Sequence, residues 1–172
     1  MIYRFRVILD NDTKEDIFRD FEMRESDTME DLHNVITQCF GFEGNEMASF
    51  YLSDDEWNQG AEISLFDMSD GLNEVRLMNE TSLSDTVHED QTKLIYVYDF
   101  MSMWTFFVEL AEIVEVAEGV DYPNLMYVQG QVPTEAPEKV FEAEKDEFED
   151  DLEDDDFNID DYDNLDFEEN WN

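Results

Sequence analysis

Between Ser26 and Gly41 the chain carries its one long stretch of helical periodicity. Met29, Leu32, Val35, Ile36, Cys39 and Phe40 recur there on a single apolar stripe. Asp27 or Thr28 supplies a short side-chain oxygen for the free first-turn amides. Glu30 and Asp31 suit the positive end of a helix, and Gly41 tolerates the left-handed conformation of a stop. This pattern predicts a helix over about 28–40. A lone amphipathic helix has no second helix to cover its stripe, so it must lie on a sheet.

The flanking segments supply that sheet. Ile2 to Leu9 alternates with period two, with Tyr3, Phe5, Val7 and Leu9 on one face and Arg4 and Arg6 on the other. After a turn signal at Asn11-Asp12-Thr13, Asp16 to Met23 puts Ile17, Arg19, Phe21 and Met23 on one side and Phe18 on the other, which predicts a hairpin. Further strands are expected at Ala48–Ser53, Glu62–Phe66, Leu94–Tyr98, Met103–Val116 and Leu125–Val128, with a short helical turn at Thr81–Val87. In the first of these, Phe50 and Leu52 point inward, or Tyr51 in the other register. The order β-β-α-β-β-(short α)-β, followed by more strands, matches an α+β, β-grasp-like two-layer plan: a mixed sheet packed on one main helix.

Charge divides the chain. Its 172 residues hold 48 Asp and Glu against 9 Lys and Arg, a formal net charge of −39. Residues 133–172 carry 19 of the acids against Lys139 and Lys145, a net of −17, and residues 1–132 carry 29 acids and 7 bases, a net of −22. The expected organisation is a domain over 1–132 and an acidic, aromatic-containing tail over 133–172, open or loosely docked because its charges repel. An apolar content of 42% still supports a packed core in the first part. This charge argues against direct binding of a nucleic-acid backbone or an anionic membrane. Met1-Ile2-Tyr3-Arg4-Phe5-Arg6 is too interrupted by charge for a signal-peptide core, and no apolar run approaches the roughly 20 residues of a membrane span. Cys39, the sole cysteine, can form no internal disulfide. A cytoplasmic protein is the expectation.

Several segments resemble one family. Thr28-Met29-Glu30-Asp31-Leu32-His33, followed by Phe40-Gly41-Phe42, resembles the helix motif of the plasmid open-reading-frame-three-like domain, named after a protein of an Agrobacterium Ri plasmid. Tyr96-Val97-Tyr98-Asp99-Phe100 and Trp104 resemble its second signature, and Tyr122-Pro123, Gly130, Pro133 and Pro137 a degraded form of its proline-glycine end. The resemblance covers roughly residues 1–138 and leaves the acidic tail outside. Leu32, His33, Tyr98, Asp99, Phe100 and Trp104 are its signature residues here. Met101 and Ser102 stand where the family usually has Gly-Asp, and Phe106 where it often has His. The resemblance implies a fold and carries no established activity.

No residue pattern announces a reaction. A Walker loop, GxSxG, HExxH and a dinucleotide glycine turn are all missing from the sequence, and no cofactor is expected. His33 could be a base or ligand, but the structural reading is a polar residue at the helix edge, bonded to backbone. Six residues separate it from Cys39, about 240° around a helix, so the two cannot pair. Cys39 reads as a small buried hydrophobe. Asp99 could accept amides and hold the Asp99–Trp104 turn, or serve catalysis. Asp156, Asn158 and Asp160 have EF-hand spacing, but Asp161 and Phe167 fill the positions that need Gly and Glu, leaving only weak divalent-cation binding by the tail. Phe148, Phe157, Tyr162, Phe167 and Trp171 stud that tail and are candidate partner contacts. The expected function is therefore a non-enzymatic acidic interaction protein binding a basic protein surface. The alternatives are a degenerate or unrecognised enzyme with a site near Asp99, Trp104 and His33, and a DNA mimic whose carboxylates stand in for phosphates.

Overall fold

The computed structural model describes residues 1–137 apart from 12–14, 70 and 73, and these belong to one compact unit, Met1–Pro137. The Asp12-Thr13 part of the predicted turn, and the tail from 138 onward, lie outside the described residues.

Alternation in the first segment gives β1 (Ile2–Leu9), and it pairs antiparallel with β2 (Phe18–Arg24), Phe5 opposite Phe21. The helix α1 (Met29–Phe40) follows. Its start is a reciprocal capping box: the Asp31 amide donates to the Thr28 hydroxyl at 3.1 Å and the Thr28 amide to the Asp31 carboxylate at 3.0 Å. Gly41 ends it at φ 80°, with the Phe42 amide donating back to the Thr37 carbonyl at 2.8 Å. Then come β3 (Ala48–Ser53), β4 (Gln59–Ser64), a 3₁₀ turn at Met78–Glu80, β5 (Lys93–Tyr98), β6 (Trp104–Val114) and β7 (Asn124–Gln129). The helical turn expected at Thr81–Val87 is present as one turn, Leu83 to Val87, with the Thr86 and Val87 amides donating to the Leu83 carbonyl, and the 3₁₀ residues precede it.

Among the described residues seven strands form one sheet in the order β4-β3-β5-β6-β1-β2-β7, and each pairing of these strands is antiparallel. The fold is mostly β, and the expected mixed sheet is corrected to an antiparallel one. The physical reason lies in one strand. β5 runs in the same direction as β1, as the grasp plan requires, but β6 leaves β5 through a short turn and inserts between them, antiparallel to both. β7 then extends the sheet beyond β2.

The helix stripe covers one face of this sheet. Met29, Leu32 and Ile36 are fully buried, and Phe40 meets Phe106 of β6 with ring centroids 4.7 Å apart. The sheet contributes Tyr3, Phe5, Val7 and Leu9 from β1, Phe21 and Met23 from β2, Phe50 from β3, and Leu94, Tyr96 and Tyr98 from β5. Each such side chain stabilises the fold by about 1.5–3 kcal/mol relative to exposure. Phe50 is a fully buried inward residue of β3, Leu52 packs against the core partly buried, and Tyr51 faces the other way. Cys39 is only partly buried, because it sits at the margin of the stripe.

Candidate functional site

The turn between β5 and β6 positions most of the signature residues. The Asp99 amide donates to the Met47 carbonyl at 2.7 Å, and the Met103 amide to the Asp99 carbonyl at 2.6 Å. Asp99 sits at φ 64° and Met103 at φ 60°. An aspartate tolerates that left-handed backbone, and its Oδ1 accepts the Met101 amide at 3.1 Å. The carboxylate thus holds the turn that displays Phe100.

Across from this turn, the stop at Gly41 throws Phe42 onto the sheet. Its ring stacks on Tyr98 at 4.9 Å with the planes 20° apart, and lies 4.9 Å from the Trp104 ring. The Gly44 amide donates to the Tyr98 hydroxyl at 3.0 Å. The two halves of the signature, one from the helix stop and one from the β5–β6 turn, therefore pack on each other. They border a cleft of about 500 Å³, with Phe40, Phe42, Tyr98 and Trp104 inside and Glu43, Glu46 and Asp99 at its margin. None of the residues lining it is a His, Cys, Lys or Arg. Aromatic rings beside carboxylates are chemistry for holding a cation.

His33 is elsewhere. It is 2% exposed, in the core and not at the helix edge, and its Nδ1 lies 2.6 Å from the Tyr96 hydroxyl, not from a backbone group. Its ring is 6.5 Å from Tyr98, on the buried side of the aromatic layer. Burial pulls its pKa down to about 4 and raises that of Tyr96 well above the ordinary value. The structure thus brings Asp99 and Trp104 to one cleft and seals His33 behind it. Leu32 is core, and Phe100 points away, into a different groove. Phe148, Phe157, Tyr162, Phe167 and Trp171 lie outside the described residues. Among the described residues no cluster of His, Cys, Asp and Glu is placed to hold a metal ion, and no helix is long and apolar enough to cross a membrane.

Sequence reasoning missed the placement of the cations. Arg19 shares the apolar face of β2 and is 6% exposed. Its guanidinium donates to the carbonyls of Cys39 at 3.1 Å, Phe18 at 2.9 Å and Gln129 at 2.8 Å, and lies 4.8 Å from the Phe40 ring centroid. It thereby answers the negative end of α1. The one signal was a charge in register with Ile17, Phe21 and Met23. On the opposite sheet face, Arg4 bridges Glu22 and Glu112 at 2.8 Å each, Arg6 grips Asp20 through two 2.8 Å bonds, and Lys93 meets Glu109 at 3.0 Å. Arg24 lies over the Tyr122 ring and Arg76 donates to the Asp85 carbonyl.

Residues 1–170 match the family of plasmid pRiA4b ORF-3-like proteins. The chain belongs to that family. The match runs past the expected limit near 138, to residue 170. Among solved structures, the crystal structure of MM3350, a protein of unknown function from Methanosarcina mazei Go1, is similar, with a TM-score of 0.65 and 21% identity over 91% of this chain and 83% of that one. That likeness speaks to the fold alone. No curated protein matches the chain. For a plasmid pRiA4b ORF-3-like protein, then, the signature builds an aromatic layer and a turn, with two concavities on either side of it.

Proposed function

We propose that this family member is a non-enzymatic binding module for a basic protein surface. One observation carries the reading. Of the seven Lys and Arg in residues 1–132, six are described, and each makes a contact within the chain: with a carboxylate (Arg4, Arg6, Lys93), with a carbonyl (Arg19, Arg76) or with a ring (Arg24). The excess of carboxylates sets the outer field, and a partner has to supply the positive charge. The cleft of Glu43, Glu46, Asp99 and Trp104 suits a Lys or Arg side chain. In the tail, Phe148, Phe157, Tyr162, Phe167 and Trp171 add apolar contacts to a strongly attracting segment.

Affinity capture from the native lysate tests this, comparing the full chain with a version ending at Pro137. The expected result is a basic protein that elutes as salt is raised, because exposed charge pairs are screened. A complex indifferent to salt overturns the electrostatic part. Displacement of the chain by duplex DNA would instead assign the DNA-mimic role.

A further inference from the structure

The β5–β6 turn has a second side. Phe100 reaches into a groove of about 740 Å³ with Met47, Phe66 and Met68 along it and Glu62 and Glu74 at its edges. Phe66 is 55% exposed, Met68 69% and Phe100 40%, and Met101 and Met103 stand exposed on the same turn. Large apolar side chains gathered this openly mark an interaction surface. Their identity suits an apolar partner surface: thioether side chains are flexible and polarisable, and fit themselves to varied apolar shapes. The margin narrows it further. Glu62 is held in place by the Ser49 hydroxyl at 2.6 Å. The groove's cation, Arg76, is turned to the Asp85 carbonyl.

We propose that this groove docks a basic amphipathic segment of a partner protein, its apolar side on Met47, Phe66, Met68 and Phe100 and its Lys or Arg residues toward Glu62 and Glu74. The inference rests on the basic-partner reading above and gives it an address. Charge complementarity selects the occupant: a second copy would bring another net charge of −39 to the same place. An apolar floor with an acidic margin is the complement of an amphipathic helix laid in a groove.

The test uses the full chain with methyl-labelled methionine and a synthetic amphipathic peptide of leucine and lysine, set beside a scrambled peptide of the same composition. The expected outcome is saturable shifts of the Met47 and Met68 methyl signals, with the buried Met23, Met29 and Met78 unmoved. Met68→Ser and Phe100→Ser should each weaken binding by about tenfold, and scrambling should do the same. Both substitutions fall on exposed side chains, and unchanged buried methyl signals verify the fold. Peptide binding that leaves Met47 and Met68 unmoved and ignores both substitutions overturns the groove while the basic-partner reading stands. Equal binding of the scrambled peptide overturns the amphipathic requirement. Shifts of the same methyls with protein concentration alone assign the groove to a second copy. Failure of both peptides to bind at low salt sinks the basic-partner reading itself.

Discussion

His33 shows what a single buried group does to the whole chain. Its imidazole titrates at about 4 in the fold and at about 6.5 when free. Above pH 6.5 it is neutral in both states and adds no pH dependence. As pH falls from about 6.5 to about 4 the unfolded chain takes up a proton that the folded chain refuses, so stability drops, by about 3 kcal/mol in all. His33→Gln lacks that loss. Urea unfolding of both proteins at pH 7 and pH 4.5 should show the parent's advantage shrinking at the lower pH, and a constant gap would contradict the assignment. Asp99 makes a different claim, about backbone. Asparagine also tolerates a left-handed backbone and can accept the Met101 amide, so Asp99→Asn should unfold within about 0.5 kcal/mol of the parent. Asp99→Val, β-branched at φ 64°, should lose about 2 kcal/mol. Equal losses in thermal melts of the two variants would mean that the carboxylate matters for more than the turn.

At the scale of elements, the sheet depends on close approach where β7 ends. A Cβ on Gly130 would lie 2.7 Å from the Asp16 carbonyl oxygen and 3.0 Å from the Ile17 Cα, at φ 81°. Gly119 has the same kind of backbone, φ 82°, with nothing within 4 Å. Gly119→Ala should lose about 1 kcal/mol from backbone conformation alone, and Gly130→Ala at least about 2, because backbone must also move. Hydrogen exchange should place the added loss in β7 and its β2 partner, and equal losses for the two would discount the packing of this corner. The helix needs no such neighbour to be recognised. Its cap at Thr28, its stripe and its stop at Gly41 are all local chemistry, and the structure places its ends at Met29 and Phe40. Strand limits differ from the expected ones by a residue or several: β2 begins at Phe18 and β4 at Gln59, because a strand ends where its partner stops and not where its own pattern fades.

For the molecule as a whole, the excess of 39 negative charges strains the fold by self-repulsion. Its melting temperature should rise as salt is raised from about 0.01 M to about 0.3 M, since the screening length shortens from about 30 Å to well under 10 Å. A flat or falling melting curve would mean that the internal pairs of Arg4, Arg6 and Lys93 outweigh the repulsion. The same scale separates the two sources of information about this protein. The amino-acid sequence by itself determined the helix and its ends, the inward set Tyr3, Phe5, Val7 and Leu9, the hairpin of β1 and β2, and the acidity, because periodicity, capping and charge are properties of neighbours along the chain. Tertiary structure alone decided that β6 lies between β1 and β5, so that a sheet expected to be mixed is antiparallel. It also decided that Arg19 is buried on carbonyls, that Phe42 meets Tyr98 and Trp104, and that Phe66, Met68 and Phe100 share a groove. Each of these depends on which strands pair and in what register, and pairing is fixed by the total burial that distant segments achieve together, which no local pattern carries.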